Sequence, residues 1–230
     1  MSYYKSFQEL KRLAETELFT ALVGDVLDKM GYLHQFLPAS IKPLDLSMVV
    51  FGKAMPVVEA DVFGEQLSVS ANPFLNKPFG LMFEALDSLL EDEVYICTGS
   101  SLRYALWGGL MSTRAMKLKA SGAVLHGYSR DTNEVIRLGF PAFSMGTYAQ
   151  DQGPRGKVID YRVPIEIEKV LIKPGDIVYG DRDGVVIIPQ LIQDEVFEKA
   201  LEKARGEKEV LKALQAGMST VDAFKKFGIM

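Results

Sequence analysis

Between Trp107 and Glu134 the chain runs through a glycine pair, a helix-patterned segment, a wholly apolar run and an Arg-Asp pair, and this order leaves few folds open. Gly108 and Gly109 precede apolar positions at Leu110, Met111, Ala115 and Leu118, so a loop is predicted to hand over to a helix whose first amide groups point outward. Such a helix start is a ready anion site. Ala123-Val124-Leu125 then reads as a short buried strand that delivers Arg130 and Asp131 to the carboxyl end of a sheet, where open α/β folds bind ligands.

The flanking sequence continues the alternation. Residues 5–16 read as a helix, and a second helix carries Leu22, Val23, Val26, Leu27 and Met30 before Gly31. Strands are predicted at 48–51 and 54–59, interrupted by Gly52, then a helix over 81–90, a strand at 93–97 and a parallel strand at 141–145. Alternating strand and helix gives an α/β class. Beyond residue 156 the chain becomes strand-rich, at 157–162, 164–167, 176–179 and 185–188, which predicts a β-rich half folded against the α/β half. Asp181 to Gly184 has the spacing of a tight turn between strands. A long helix over 191–216 and a last one opened by Ser219 and Asp222 carry enough apolar surface to need a cover, either the chain's own core or a second subunit. Residues 60–85 mix aromatics with proline and glycine, as an ordered functional or interface loop does.

Composition excludes several classes of function. A formal charge of −4, with 26 basic residues spread along the chain, argues against a dedicated binder of nucleic-acid backbones. The first residues lack the apolar core of a signal peptide and no apolar run is long enough to span a bilayer, so a cytoplasmic protein without membrane attachment is expected. Cys97 is the single cysteine, inside a strand pattern, and reads as a buried thiol. His126 follows a buried strand closely enough to read as a packed or hydrogen-bonded ring, and Trp107 as a buried aromatic anchor. Asp25 and Asp28 read as solvated carboxylates on an amphipathic helix.

The chemistry concentrates on Arg130, Asp131 and Glu134. Glu134 stands one helical turn after Asp131, and such a carboxylate pair suits a hard divalent cation that keeps several waters, as magnesium does. Arg130 remains protonated and can donate two parallel hydrogen bonds, which suits the enolate developing from a bound 2-oxo acid. The resulting expectation is a small site for an anionic oxo acid with a metal.

These residues resemble the RraA-like family, which includes metal-dependent 4-hydroxy-4-methyl-2-oxoglutarate / 4-carboxy-4-hydroxy-2-oxoadipate aldolases and protein regulators of ribonuclease E. The resemblance runs through Asp25-Val26-Leu27-Asp28 and Gly31, Trp107-Gly108, Gly122-Ala123-Val124, Gly127 to Asp131, Pro174-Gly175-Asp176 and Asp183 to Pro189, with Arg-Asp-x-x-Glu pointing to the aldolase branch. It implies a layered αββα sandwich over 1–190 with a C-terminal helical extension over 191–230, assembled as a trimer or hexamer with sites between subunits. It implies that Gly108 and the amides of Gly109, Leu110 and Met111 bind the pyruvyl carboxylate, that Arg130 stabilises the enolate, and that Asp131 holds Mg2+ or Mn2+, helped by Glu207 reaching from a neighbouring subunit. The activity implied is aldol cleavage of a 4-hydroxy-2-oxo acid to pyruvate, with oxaloacetate decarboxylation through the same enolate. A sugar-acid dehydratase or isomerase, and a noncatalytic ribonuclease-binding protein, are the alternatives. Gly109 replaces an acidic residue of the aldolases, and the 61–83 loop is longer than the family's, so the substrate can differ.

Overall fold

The computed structural model describes residues 3–62 and 72–228. Contacts divide the chain into residues 34–190 and a helical unit in which the first 33 residues join residues 191–230. In chain order the elements are α1 (Phe7–Thr16), α2 (Thr20–Lys29), β1 (Lys42–Pro43), β2 (Val50–Asp61), α3 (Met82–Asp87), β3 (Glu93–Thr98), β4 (Ala105–Trp107), α4 (Gly109–Lys117), β5 (Gly122–Leu125) and β6 (Tyr128–Ser129). They continue with α5 (Thr132–Leu138), β7 (Ala142–Ser144), β8 (Gly156–Tyr161), β9 (Ile165–Ile167), β10 (Val170–Ile172), β11 (Ile177–Gly180), β12 (Val185–Ile188), α6 (Gln193–Gln215) and α7 (Thr220–Phe227).

The larger unit is built on one mixed sheet in the order β1-β7-β5-β3-β2-β11-β12, with β8 also pairing β2. The β2, β3, β5 and β7 strands are mutually parallel, as the alternation of strand and helix predicts, whereas β8 and β11 run antiparallel to β2 and β12 runs antiparallel to β11. The β-rich half predicted to fold against the α/β half is largely continuous with it: β8, β11 and β12 extend the same sheet, while β9 pairs with β10 as a separate hairpin. The long strand β2 makes this possible, because Val50–Lys53 pair with β11 and Val57–Asp61 pair with β8.

Period-two alternation sorts the sheet's side chains onto two faces. Ala54, Val94, Ile96, Val124 and Phe143 pack with the β9–β10 hairpin residues Ile165, Ile167, Val170 and Ile172. Met55, Val57, Tyr95, Cys97, Ala123 and Leu125 pack instead against Met82, Ala85 and Leu86 of α3, Ala115 of α4, Trp107 and Phe140. The layered α/β architecture expected from the resemblance is the one found. Gly52 is a second correction: it does not interrupt β2. A Cβ there would strike the carbonyl oxygen of Asp92 and stand 2.9 Å from both Ser121 Cβ and Val94 Cγ2, so glycine permits close packing inside a continuous strand.

In the helical unit α2 packs on α6. Lys203 on α6 pairs with Asp25 on α2, and Tyr4 donates to Asp194 at 2.8 Å. Ser219 caps α7 by accepting from the Asp222 amide at 3.1 Å, as its spacing predicts. Val221 and Phe224 on α7 stay exposed.

Replacing Gly52→Ala is expected to destabilise the fold by about 1–3 kcal/mol through overpacking. Urea unfolding measures this directly, and an unchanged midpoint would show that β2 can move away from β3.

Candidate active site

The site is made by a two-rung parallel ladder. Ala105 pairs with Tyr128 and Trp107 with Ser129, and the Arg130 amide donates to the Trp107 carbonyl at 2.9 Å. This pairing lays Trp107-Gly108-Gly109 beside Ser129-Arg130-Asp131. Trp107 is pinned by its indole N–H donating to Ser112 Oγ at 2.8 Å and by stacking on Phe140. Gly108 is the N-cap of α4 in extended backbone and offers no side chain to cap it. The cap comes from elsewhere: the Gly109 amide donates to Asp131 Oδ2 at 3.1 Å. The amides of Leu110 and Met111, within the first turn, have no partner in the helix ladder.

Both glycines are needed by what lies over them. A Cβ on Gly108 would stand 2.6 Å from Asp131 Oδ2, and one on Gly109 would stand 2.6 Å from Glu134 Oε2. The Glu134 carboxylate thus lies over the position at which an acidic residue replacing Gly109 would begin. Asp131 is in the left-handed region (φ 55, ψ 33), a conformation that aspartate tolerates better than most residues and that the Gly109 contact helps hold.

Arg130, Asp131, Gly108, Leu110 and Met111 share one cleft of about 250 Å3. Its remaining walls include Phe79, Met82, Phe83, Leu106, Asp151 and Gln152. Sequence reading therefore brought together the helix start and the Arg-Asp pair, but missed Asp151, whose Oδ1 forms an ion pair with Arg130 Nη1 at 2.8 Å. The Arg130 Nε to Asp131 Oδ2 distance is longer, 3.8 Å. The Gly153 amide orients Asp151 by donating to Oδ2 at 3.0 Å, and the segment is tied to β4 by the Ala105 amide donating to Gln150. The polar run Gln150 to Arg155 was the available signal. Phe79 and Phe83 belong to the 61–83 loop; its residues 63–71 lie outside the described ones.

Glu207 lies on α6 of the helical unit, where its carboxylate faces Lys203 Nζ at 3.3 Å. Among the described residues no three His, Cys, Asp or Glu side chains gather into a metal-binding group. His126 is hydrogen-bonded to Thr98 at 2.8 Å, and Cys97 is buried with its thiol pushed up by desolvation. Asp181 closes its turn by accepting from the Asp183 amide.

Behind the cleft lies a titratable group that no motif announced. Glu59 on β2 is buried; Gln152 Nε2 donates to its Oε2 at 2.7 Å, while Oε1 has no hydrogen-bond partner among the described residues. Burial pushes this carboxyl up to about 8, against the opposing bond from Gln152.

The fold and site define a mixed α/β protein with a cleft in which a helix start meets an arginine and an aspartate. The family "RraA-like: Aldolase/RraA" matches residues 20–187, well over half the chain, and the protein belongs to that family. A protein of Halalkalibacterium halodurans named "Putative 4-hydroxy-4-methyl-2-oxoglutarate aldolase" is 29% identical over 205 residues, covering 89% of each chain. Protein DlpA of Legionella pneumophila is 26% identical over 206 residues, and this chain spans 31% of its length. The crystal structure of Streptomyces coelicolor RraAS2, described as an unusual member of the RNase ES inhibitor RraA protein family, shares the fold with a TM-score of 0.72 at 22% identity, covering 90% of this chain and 97% of that one. No helix among the described residues is long and apolar enough to cross a membrane.

The Glu59 environment sets a pH dependence. Between the unfolded carboxyl value of about 4.3 and the folded value near 8, the folded chain retains a proton that the unfolded chain has released. Stability therefore falls as pH rises through that window, by up to about 1.4 kcal/mol per pH unit. Thermal unfolding from pH 5 to 9 should show a decline that Glu59→Gln flattens; parallel curves for the two proteins would show that Glu59 ionises freely.

Proposed function

We propose that this protein is a divalent-metal-dependent carbon–carbon lyase that releases pyruvate from a 4-hydroxy-2-oxo acid. The observation that carries the proposal is the convergence of Arg130 and Asp131 on the first turn of α4 within one cleft. The helix start and the Leu110 and Met111 amides bind the substrate carboxylate. The Arg130 guanidinium donates to the C2 oxygen, where negative charge develops as the C3–C4 bond breaks and its electron pair enters the carbonyl. The 4-hydroxyl gives up its proton to solvent water as C4 leaves as a carbonyl, and a proton returned from water to C3 of the enolate completes pyruvate. Oxaloacetate decarboxylation would draw on the same stabilised enolate.

Asp131 suits Mg2+ or Mn2+: its carboxylate is 43% exposed, aimed by the Gly109 amide and offers hard oxygen donors. With so few protein ligands at hand, waters and substrate oxygens would complete the shell. When bound, such an ion supplies Lewis-acid polarisation of the substrate's oxygens. Assembly into a trimer or hexamer is part of the proposal, supported by Leu110, 83% exposed at the cleft, and leaves room for Glu207 of a neighbouring subunit to act there.

Coupled detection of pyruvate tests the reading. Arg130→Ala should lower kcat/KM by about a hundredfold or more, the usual scale for losing a donor to a developing oxyanion. Chelation should stop turnover and added Mg2+ or Mn2+ should restore it. Full activity in Arg130→Ala would end the assignment, and capture of a ribonuclease without metal-dependent turnover would replace it with a regulatory role.

A further inference from the structure

We infer that the cleft selects a 2-oxo acid whose distal end is uncharged and apolar, and that Asp151 is the residue that turns away a second carboxylate. This rests on the binding of a 2-oxo acid at the Arg130 end proposed above, and names what the rest of the cleft accepts.

Among the described residues lining the cleft there is one cation, Arg130. Its guanidinium is already ion-paired with Asp151 at 2.8 Å, and its Nε lies 3.8 Å from Asp131 Oδ2. A dicarboxylate would bring two anionic ends to a wall with a single guanidinium. Once the pyruvyl end occupies the helix start and Arg130, the distal end meets either carbon or another carboxylate. The carbon surface is formed by Phe79, Met82, Phe83, Leu106 and Met111. Phe79 and Phe83 meet edge to face with ring centroids 5.5 Å apart, and Phe83 is 53% exposed, so apolar surface is left for a ligand to cover.

The carboxylate is Asp151, and it is not free to swing aside. Its Oδ1 holds Arg130 and its Oδ2 accepts from the Gly153 amide at 3.0 Å. Arg155 braces the turn by donating through Nη1 to the Asp151 carbonyl at 3.0 Å, and buried Gln152 is anchored on Glu59. A fixed negative group beside the one cation that the described lining residues supply raises the cost of a second substrate charge, while an alkyl group there gains from burial against the aromatic wall.

The test uses the full-length protein with Mg2+ and calorimetric binding of two uncleavable probes, 2-oxohexanoate and 2-oxoglutarate. The expected result is at least tenfold tighter binding of 2-oxohexanoate. Asp151→Asn should cut that ratio at least threefold by strengthening 2-oxoglutarate binding, whereas a merely structural Asp151 would weaken both probes alike. Should Asp151→Asn fail to fold, Phe83→Arg places a second cation on an exposed part of the wall and should shift preference toward 2-oxoglutarate. Equal or tighter binding of 2-oxoglutarate by the unmodified protein, binding of neither probe, or a ratio that no foldable variant moves would overturn the inference. Pyruvate release from 4-hydroxy-2-oxohexanoate and from 4-hydroxy-4-methyl-2-oxoglutarate separates the two readings: a retained binding preference with neither aldol cleaved would end the lyase proposal and leave the selectivity standing.

Discussion

Everything in the cleft depends on the short parallel pairing of β4 with β6. Without the Trp107 carbonyl accepting from the Arg130 amide, the start of α4 and the Arg130-Asp131 pair would be two unrelated loops. Two rungs are a weak ladder alone, and the surrounding packing makes them rigid. Trp107 is buried between Tyr95 and Phe140, and the segment after β7 adds further bonds, with the Ser129 amide donating to Gly146 and the Tyr148 amide to Ser129. The backbone geometry is thereby set before any ligand arrives, as an electrostatic site for a developing anion requires.

That rigidity explains the local choices of residue. Asp131 sits in left-handed backbone, a conformation that costs about 1–2 kcal/mol for most residues. Aspartate reduces the cost, and the bond from the Gly109 amide satisfies an orphan donor of α4 at the same time. Glycine at 108 and 109 then follows from space, because the carboxylates of Asp131 and Glu134 lie where side chains would begin. The acidic group beside the helix start therefore comes from α5 and not from α4 itself.

Much of this was legible in the sequence because it is local. The alternation from Glu93 to Ser144 reports strands and helices through periodicity, and the helix start and Arg-Asp pair are each contiguous. What failed was non-local. Gly52 looks like a strand break until its neighbours Asp92 and Ser121 are in place. The strands after residue 156 show their own patterns but not their partner, since one strand long enough to pair with both β11 and β8 is a tertiary fact. In sequence Asp151 is one polar residue among several between Gln150 and Arg155, and only its ion pair with Arg130 sets it apart. Glu59 was hidden for the opposite reason: at the end of a strand pattern it resembles a solvated carboxylate, and burial is what alters its chemistry.

The central claim is that helix start, guanidinium and aspartate act together on one planar oxo acid. Calorimetric titration with oxalate in the presence of Mg2+ measures this most directly, since oxalate has the planar shape and oxygen spacing of a pyruvate enolate. Saturable binding at one site per chain, weakened at least tenfold by either Arg130→Ala or Asp131→Asn, is the predicted result. Binding that neither substitution weakens, or no binding by the intact protein, would contradict it.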